Sequence, residues 1–313
     1  MFRHILAAAV LLVASAQAQD CHLKRLAALD IMPDGTGHIM TAVQVNGHPL
    51  KLVVDTGSDH SMITPHTVEA LGLTKEALPN SINGLWGGHK MDKLTHVDVL
   101  QIGRLTFDHS TLFVMPVEMR SGADGLLGTD FLARFDLDFD FAHGKLNLID
   151  PNHCPGDVIY WADEANAARI PFRKQARDVP VAGINTSKLV VPVSIDGKEE
   201  LAILDTGSPI TTLDLDTAKQ DFAIADGIAG LTKLRQPEGS YRYTFQKMSF
   251  GEKGAVNVSS PVIRLDPYSV HQMPPGWPKI LVGMDVLARL HLYISYRERM
   301  LFVTEATAHK AAP

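Results

Sequence analysis

Leu52-Val53-Val54-Asp55-Thr56-Gly57-Ser58 and Leu201-Ala202-Ile203-Leu204-Asp205-Thr206-Gly207-Ser208 are the two stretches on which the reading of this chain turns. In each, an apolar run of strand type ends in a carboxylate, a hydroxyl and a glycine turn. One Asp after a buried strand is ordinarily a turn or cap residue. Two in the same setting, 150 residues apart, imply two equivalent halves that each supply one Asp to a shared site.

The repeat extends well beyond the tetrapeptide. The same offset carries Asn46-Gly47 onto Asp196-Gly197, hairpin-turn dipeptides that follow alternating strands at Ile39 to Val45 and Leu189 to Ile195. Thr64-Pro65 opens a short helix that Gly72 can close. Its counterpart runs from Leu213 to Gln220, with Asp214 or Asp216 as the start signal. Downstream, Gly125-Leu126-Leu127-Gly128-Thr129-Asp130-Phe131-Leu132-Ala133-Arg134 matches Ile280-Leu281-Val282-Gly283-Met284-Asp285-Val286-Leu287-Ala288-Arg289. Each is followed by an alternating strand pair, Phe135 to Ile149 and Leu290 to Val303. A long unit present twice gives two lobes rather than a solenoid. The expected division is 19–153 for the N-terminal lobe, 154–170 for a linker and 171–313 for the C-terminal lobe. Asp150-Pro151-Asn152 and Pro155-Gly156 break the pattern at the join.

Composition narrows the class. Of 313 residues 45% are apolar, so a sizeable core is available, and 18 Pro with 24 Gly favour short strands and turns over long helices. The net charge of −6 comes without a basic cluster, which sets nucleic acid aside as a partner. Residues 1–18 read as a signal peptide: Arg3 and His4, the apolar stretch Ile5 to Ala14, and Ala16-Gln17-Ala18 as a small-residue cleavage site. That stretch is shorter than the roughly 20 residues of a membrane span. The expected mature protein is therefore exported, periplasmic or secreted, with no stable membrane insertion. The two cysteines, Cys21 and Cys154, are compatible with one disulfide in an oxidising compartment, or with two separate thiols.

Two carboxylates brought together by a pseudo-two-fold axis cannot both ionise cheaply, so the pair holds one proton. The ionised member can take a proton from a trapped water while the protonated member donates to a scissile carbonyl. Gly57 and Gly207 allow a tight turn, and the Thr56 and Thr206 hydroxyls can bond across the axis and lock the loops together. The Ser58 and Ser208 hydroxyls are expected to donate to the outer carboxylate oxygens, favouring the charged form and activity at mildly acidic pH.

With hydrophobic-Asp-Thr-Gly-Ser in both halves and the downstream Leu-Leu-Gly-Thr-Asp-Phe-Leu and Leu-Val-Gly-Met-Asp-Val-Leu segments, the chain resembles the retropepsin-like aspartic proteases in their exported, bacterial two-lobed form. The resemblance implies an all-β fold, with two homologous retropepsin/pepsin-like β-barrel lobes, pseudo-two-fold symmetry and short helices. It implies an aspartic endopeptidase acting on a polypeptide substrate, an exported or membrane protein, with Asp55 and Asp205 catalytic and Thr56, Gly57, Ser58, Thr206, Gly207 and Ser208 supporting them. No cofactor or metal is required, and a monomer suffices because both aspartates lie on one chain. The flap candidates are Asn83, Gly84, Leu85, Trp86 and Gly87, in a glycine-rich hairpin tip closer to the viral type; Trp86 either covers the cleft or packs on the lobe. The alternative from another class is a catalytically silent, peptide-binding or inhibitory protein on the same fold.

Other constellations are weaker. A phosphate-binding ATPase also uses a strand followed by Asp-x-Gly-Ser/Thr in each lobe, but it fits neither the export signal nor the repeated downstream segments. Asp136, Asp138 and Asp140 mimic the start of a calcium loop without its glycine or its last acidic ligand. Their alternation with Phe135, Leu137, Phe139 and Phe141 reads instead as a half-exposed strand. Asp130 and Asp285 read as helix-start caps. The 14 histidines are scattered without ligand spacing and are assigned to surface and loops.

Overall fold

The two Asn/Asp-Gly dipeptides fold as primed hairpin turns because both central residues can take positive φ: Asn46 at 49° and Gly47 at 82°, Asp196 at 47° and Gly197 at 88°. Each turn joins a strand pair that delivers the Asp-Thr-Gly-Ser motif, Ile39–Val45 to His48–Val54 and Leu189–Ile195 to Lys198–Leu204. The computed structural model of the chain describes residues 22–78, 84–86, 89–174, 188–252, 255–267 and 278–306. The expected signal peptide, residues 1–18, lies outside them, as do Cys21, Asn83 and Gly87. Cys154 is disulfide-bonded.

The described residues are mostly β, with short helices at Pro65–Ala70, Thr129–Leu132, Leu215–Asp221 and Met284–Leu287. Each lobe has its own curled sheet, eight-stranded in the first and ten-stranded in the second, as expected of two pepsin-like barrel lobes. Their central wiring is the same. Gly125–Leu127 runs parallel to His48–Val54 and antiparallel to Met62–Ile63. Ile280–Val282 runs parallel to Lys198–Leu204 and antiparallel to Thr212–Asp214. Local chemistry starts the longer helices: Thr64 accepts from the Thr67 N–H at 3.2 Å, and Asp214, not Asp216, accepts from the Thr217 N–H at 3.0 Å.

A third sheet of six strands is shared between the lobes. Arg25–Asp30, Lys145–Ile149 and Asp136–Asp140 come from the first, and Leu290–Ser295, Met300–Glu305 and Ala168–Pro171 continue it. The seam is the antiparallel pairing of Asp136–Asp140 with Leu290–Ser295. One face of this sheet, with Leu137, Phe139, Leu292 and Ile294, joins a core cluster that contains residues of both lobes. Two lobes that share a sheet and a core are thereby fixed relative to each other.

The strand Asp136–Asp140 departs from the half-exposed expectation. Its acidic face is as buried as its apolar face, with Asp136 and Asp138 both at 0% exposure. The cause is the segment after Pro151, whose Val158 and Trp161 pack with Ile149, Tyr293 and Phe302 over the outside of the sheet. Burying carboxylates demands partners. His153 Nε2 lies 2.6 Å from Asp136 Oδ2, and His291 Nε2 lies 2.6 Å from Asp138 Oδ1 across the lobe seam. Asn147 Nδ2 donates to Asp138 at 2.8 Å, Tyr160 O–H donates to the same carboxylate, and Trp161 stacks on His291 at 4.3 Å. His153 and His291 therefore lie inside, not on the surface. Removing Asp138 strands His291, Asn147 and Tyr160 together. Asp138→Ala is expected to cost about 3–5 kcal/mol in urea unfolding, with Asp138→Asn costing less; a loss near zero would show that the network adds nothing to the seam.

Candidate active site

Each motif begins where its strand is gripped from below. Asp55 N–H donates to the Leu127 carbonyl and Asp205 N–H to the Val282 carbonyl, both at 3.0 Å. The next residues cross over. Thr56 Oγ1 donates to the Leu204 carbonyl at 3.0 Å and accepts from the Thr206 N–H at 3.0 Å. Thr206 Oγ1 donates to the Val54 carbonyl at 2.7 Å and accepts from the Thr56 N–H at 3.1 Å. Both threonines are buried, so the four bonds work away from water, where losing one strands a backbone group at about 1–3 kcal/mol.

That exchange sets the two turns face to face. A Cβ on Gly57 would stand 2.3 Å from the Asp205 carboxyl carbon, and one on Gly207 would stand 2.2 Å from that of Asp55. Each glycine thus roofs the opposite carboxyl, and no other residue type fits the gap. Asp55 Oδ1 accepts from the N–H groups of Gly57 and Ser58 at 2.8 Å each, and Asp205 Oδ1 accepts from the Gly207 N–H at 2.8 Å. The two carboxyls are close enough for the charge of Asp205 to act on Asp55.

Ser58 and Ser208 act differently from the sequence expectation. Ser58 Oγ donates to the His60 carbonyl at 2.8 Å and Ser208 Oγ to the Ile210 carbonyl at 2.9 Å. Their hydroxyls close the turn two residues on, as short polar side chains commonly do; what reaches Asp55 is the Ser58 backbone N–H. Burial raises both carboxyls above their ordinary range, Asp55 furthest because the Asp205 charge adds to it. Lys188 and the turn N–H groups oppose that rise without cancelling it. The pair therefore keeps its shared proton at higher pH than two solvated carboxylates would, and its titrations belong to the pair. Ser58→Ala and Ser208→Ala are expected to leave both limbs of a pH–activity profile in place. An acidic limb that moved up in either variant would restore the hydroxyls as charge-tuning groups.

Asp130 and Asp285 are not caps. Gly128 and Gly283 hold the N-cap positions without a side-chain bond. Asp130 instead accepts from the Ser61 N–H at 2.9 Å and Oγ at 2.7 Å, and Asp285 accepts from the Thr211 N–H at 2.9 Å and Oγ1 at 2.6 Å. The Gly128 N–H donates to Ser61 Oγ and the Gly283 N–H to Thr211 Oγ1. The short helices are thus bolted to the chain leaving each turn. Gly84–Trp86 pairs with His89–Met91 as a hairpin, Trp86 opposite His89. The side chains of Leu85 and Trp86 lie outside the described residues, as do Asn83 and Gly87.

Sequence reasoning missed Lys188. It sits just ahead of the second lobe's Leu189–Ile195, yet its ammonium donates to the Gly57 carbonyl and pairs with Asp59 at 3.9 Å, both in the first lobe. The available signal was its register: it stands 150 residues after His38, so both lobes place a basic residue there.

Two buried carboxyls held symmetrically under glycine turns, with backbone N–H groups fixing one oxygen of each, are an arrangement able to polarise a water and a carbonyl together. Residues 41–131, the first lobe from its motif strands to the bolted helix, match the family model described as aspartyl protease. The chain is also 27% identical over 172 residues to the Gag-Pol polyprotein of baboon endogenous virus (strain M7). That match covers 50% of this chain and 9% of the polyprotein, so the chain spans a small part of that relative. The matched lobe, the second lobe built on the same wiring and the paired Asp-Thr-Gly-Ser turns make the chain similar to the retropepsin-like aspartic proteases.

Proposed function

We propose that the chain is an aspartic endopeptidase, with Asp55 and Asp205 as a general acid–base pair that activates one water against a peptide bond. One carboxylate takes a proton from the water as its oxygen bonds to the carbonyl carbon, while the other carboxyl gives its proton to the carbonyl oxygen. The tetrahedral gem-diol then collapses: the C–N bond breaks as the amine takes the proton held by one carboxyl, and a gem-diol hydroxyl returns its proton to the other carboxylate, which restores the shared proton. No covalent enzyme intermediate forms. The reciprocal packing of Gly57 on Asp205 and Gly207 on Asp55 carries this reading, because it holds the two acids in contact. Since both come from one chain, a monomer suffices. The substrate is an extended polypeptide that adds strand-wise to the flap hairpin.

The compartment belongs to the same proposal. The signal-like residues 1–18 and a disulfide-bonded Cys154, with Cys21 as its intended partner, support an exported protein in the periplasm or outside the cell. Incubating the mature protein with a denatured polypeptide tests the activity. Cleavage is expected across acidic to near-neutral pH, blocked by a statine-type inhibitor and reduced by orders of magnitude in Asp55→Asn and Asp205→Asn. Binding of the polypeptide without any cleavage would favour the silent, peptide-holding alternative.

A further inference from the structure

We propose that Lys188 is a positioning residue of this site: a cation carried by the second lobe and clamped on the first lobe's turn, which holds the negative charge shared by Asp55 and Asp205. The inference rests on the protease reading for its kinetic part and on geometry for the rest.

Lys188 is well enclosed, its side chain 12% exposed and that of its ion-pair partner Asp59 10% exposed. Its ammonium donates to the carbonyl of Gly57, the glycine that roofs Asp205, and lies 3.9 Å from Asp59, four residues after Asp55. A cation held on that turn acts on both carboxyls, and it favours the ionised form of each. Among the described residues, two other titratable side chains follow the first turn. Asp59 is the anion that holds Lys188. His60 lies stacked on Phe113 at 4.1 Å.

The device is one-sided. In the first lobe the register equivalent of Lys188 is His38, whose Nδ1 is 2.9 Å from Asp34 and 2.8 Å from Thr36 Oγ1 within its own loop. In the second lobe the equivalent of Asp59 is Pro209, against which Gly37 is packed so closely that a Cβ there would lie 2.8 Å away. The pseudo-two-fold axis therefore relates a charged clamp on one side to an uncharged ring contact on the other. A pair of buried acids with one proton carries one net charge, and a fixed cation on the adjoining turn favours it.

The expected consequence is a displaced pH window. Lys188→Gln drops the charge but keeps a donor for the Gly57 carbonyl, and both limbs of its kcat/KM profile should move up by about one pH unit. Rates on the acidic limb then fall about tenfold and rates on the alkaline limb rise about tenfold. Lys188→Arg, which keeps the charge, should hold the wild-type window. A parallel reading needs no activity: carboxyl NMR titration of the Asp-labelled protein, with the pair's resonances identified by their loss in Asp55→Asn and Asp205→Asn. Those resonances should titrate higher in Lys188→Gln. Unmoved limbs with a uniform loss of rate, or resonances that titrate alike with and without the charge, would overturn the role. If the wild type cleaves nothing, the protease reading fails on its own, and the NMR titration still decides the coupling.

Discussion

Asp55→Asn is expected to reduce peptide cleavage by a factor on the order of 10²–10⁴ and, at neutral pH, to raise the melting temperature. The first effect follows because an amide can neither take the water's proton nor share one with Asp205. The second follows from proton linkage. In the unfolded chain the Asp55 carboxyl titrates near its ordinary value of 3.8, and in the folded chain burial and Asp205 push it well above. The folded state thus binds the proton more tightly, so stability is greatest below the unfolded value and declines as pH rises towards the folded one. Asparagine carries no charge to bury and escapes that decline. The gain of Asp55→Asn over wild type should be clear at pH 7 and shrink as pH falls to about 4. Melting temperatures of the two proteins across that range provide the check, and a gain that stayed constant with pH would refute a raised carboxyl.

Gly57→Ala and Gly207→Ala should be nearly as damaging by a purely steric route. The added methyl would lie 2.3 Å or 2.2 Å from the opposite carboxyl carbon, far inside contact distance. Either the carboxyl swings away or the turn retreats, and the turn is pinned by the crossed threonine bonds of 2.7–3.1 Å. Overpacking of this kind costs about 1–3 kcal/mol. A shift of one reacting group by about 1 Å costs on the order of 10²-fold in rate. Comparing kcat/KM with urea midpoints separates the two losses, and near-normal turnover in either variant would contradict the packing that joins the lobes at the site.

Both predictions draw on residues visible in the sequence, because the chemistry there is local and written twice. Asn46-Gly47 and Asp196-Gly197 force the same hairpin wherever they stand, since the dipeptide sets its own turn. Strand periodicity and the doubled motif carried the two lobes for the same reason. Ser58 and Ser208 show the limit of that logic. Their position suggested a bond to the carboxylates, but the carbonyls of His60 and Ile210 lie nearer once the turn is made, and backbone N–H groups occupy the acids instead. Asp130 and Asp285 repeat the lesson, since each binds the backbone and hydroxyl of a residue about 70 positions away, just ahead of a strand, instead of capping its helix.

The sequence by itself determined that two equivalent turns exist and that each ends in Asp-Thr-Gly-Ser, because strand, turn and repeat are short-range or self-comparing properties. Only the tertiary structure decided what surrounds them. Asp136 and Asp138 alternate with apolar residues as a solvated strand would, yet the segment after Pro151 covers them and turns them into buried partners of His153 and His291. Lys188 reads as an ordinary basic residue until the six-stranded sheet brings the second lobe against Gly57 and Asp59. Burial and long-range pairing depend on which distant segment arrives, and no local pattern encodes that arrival.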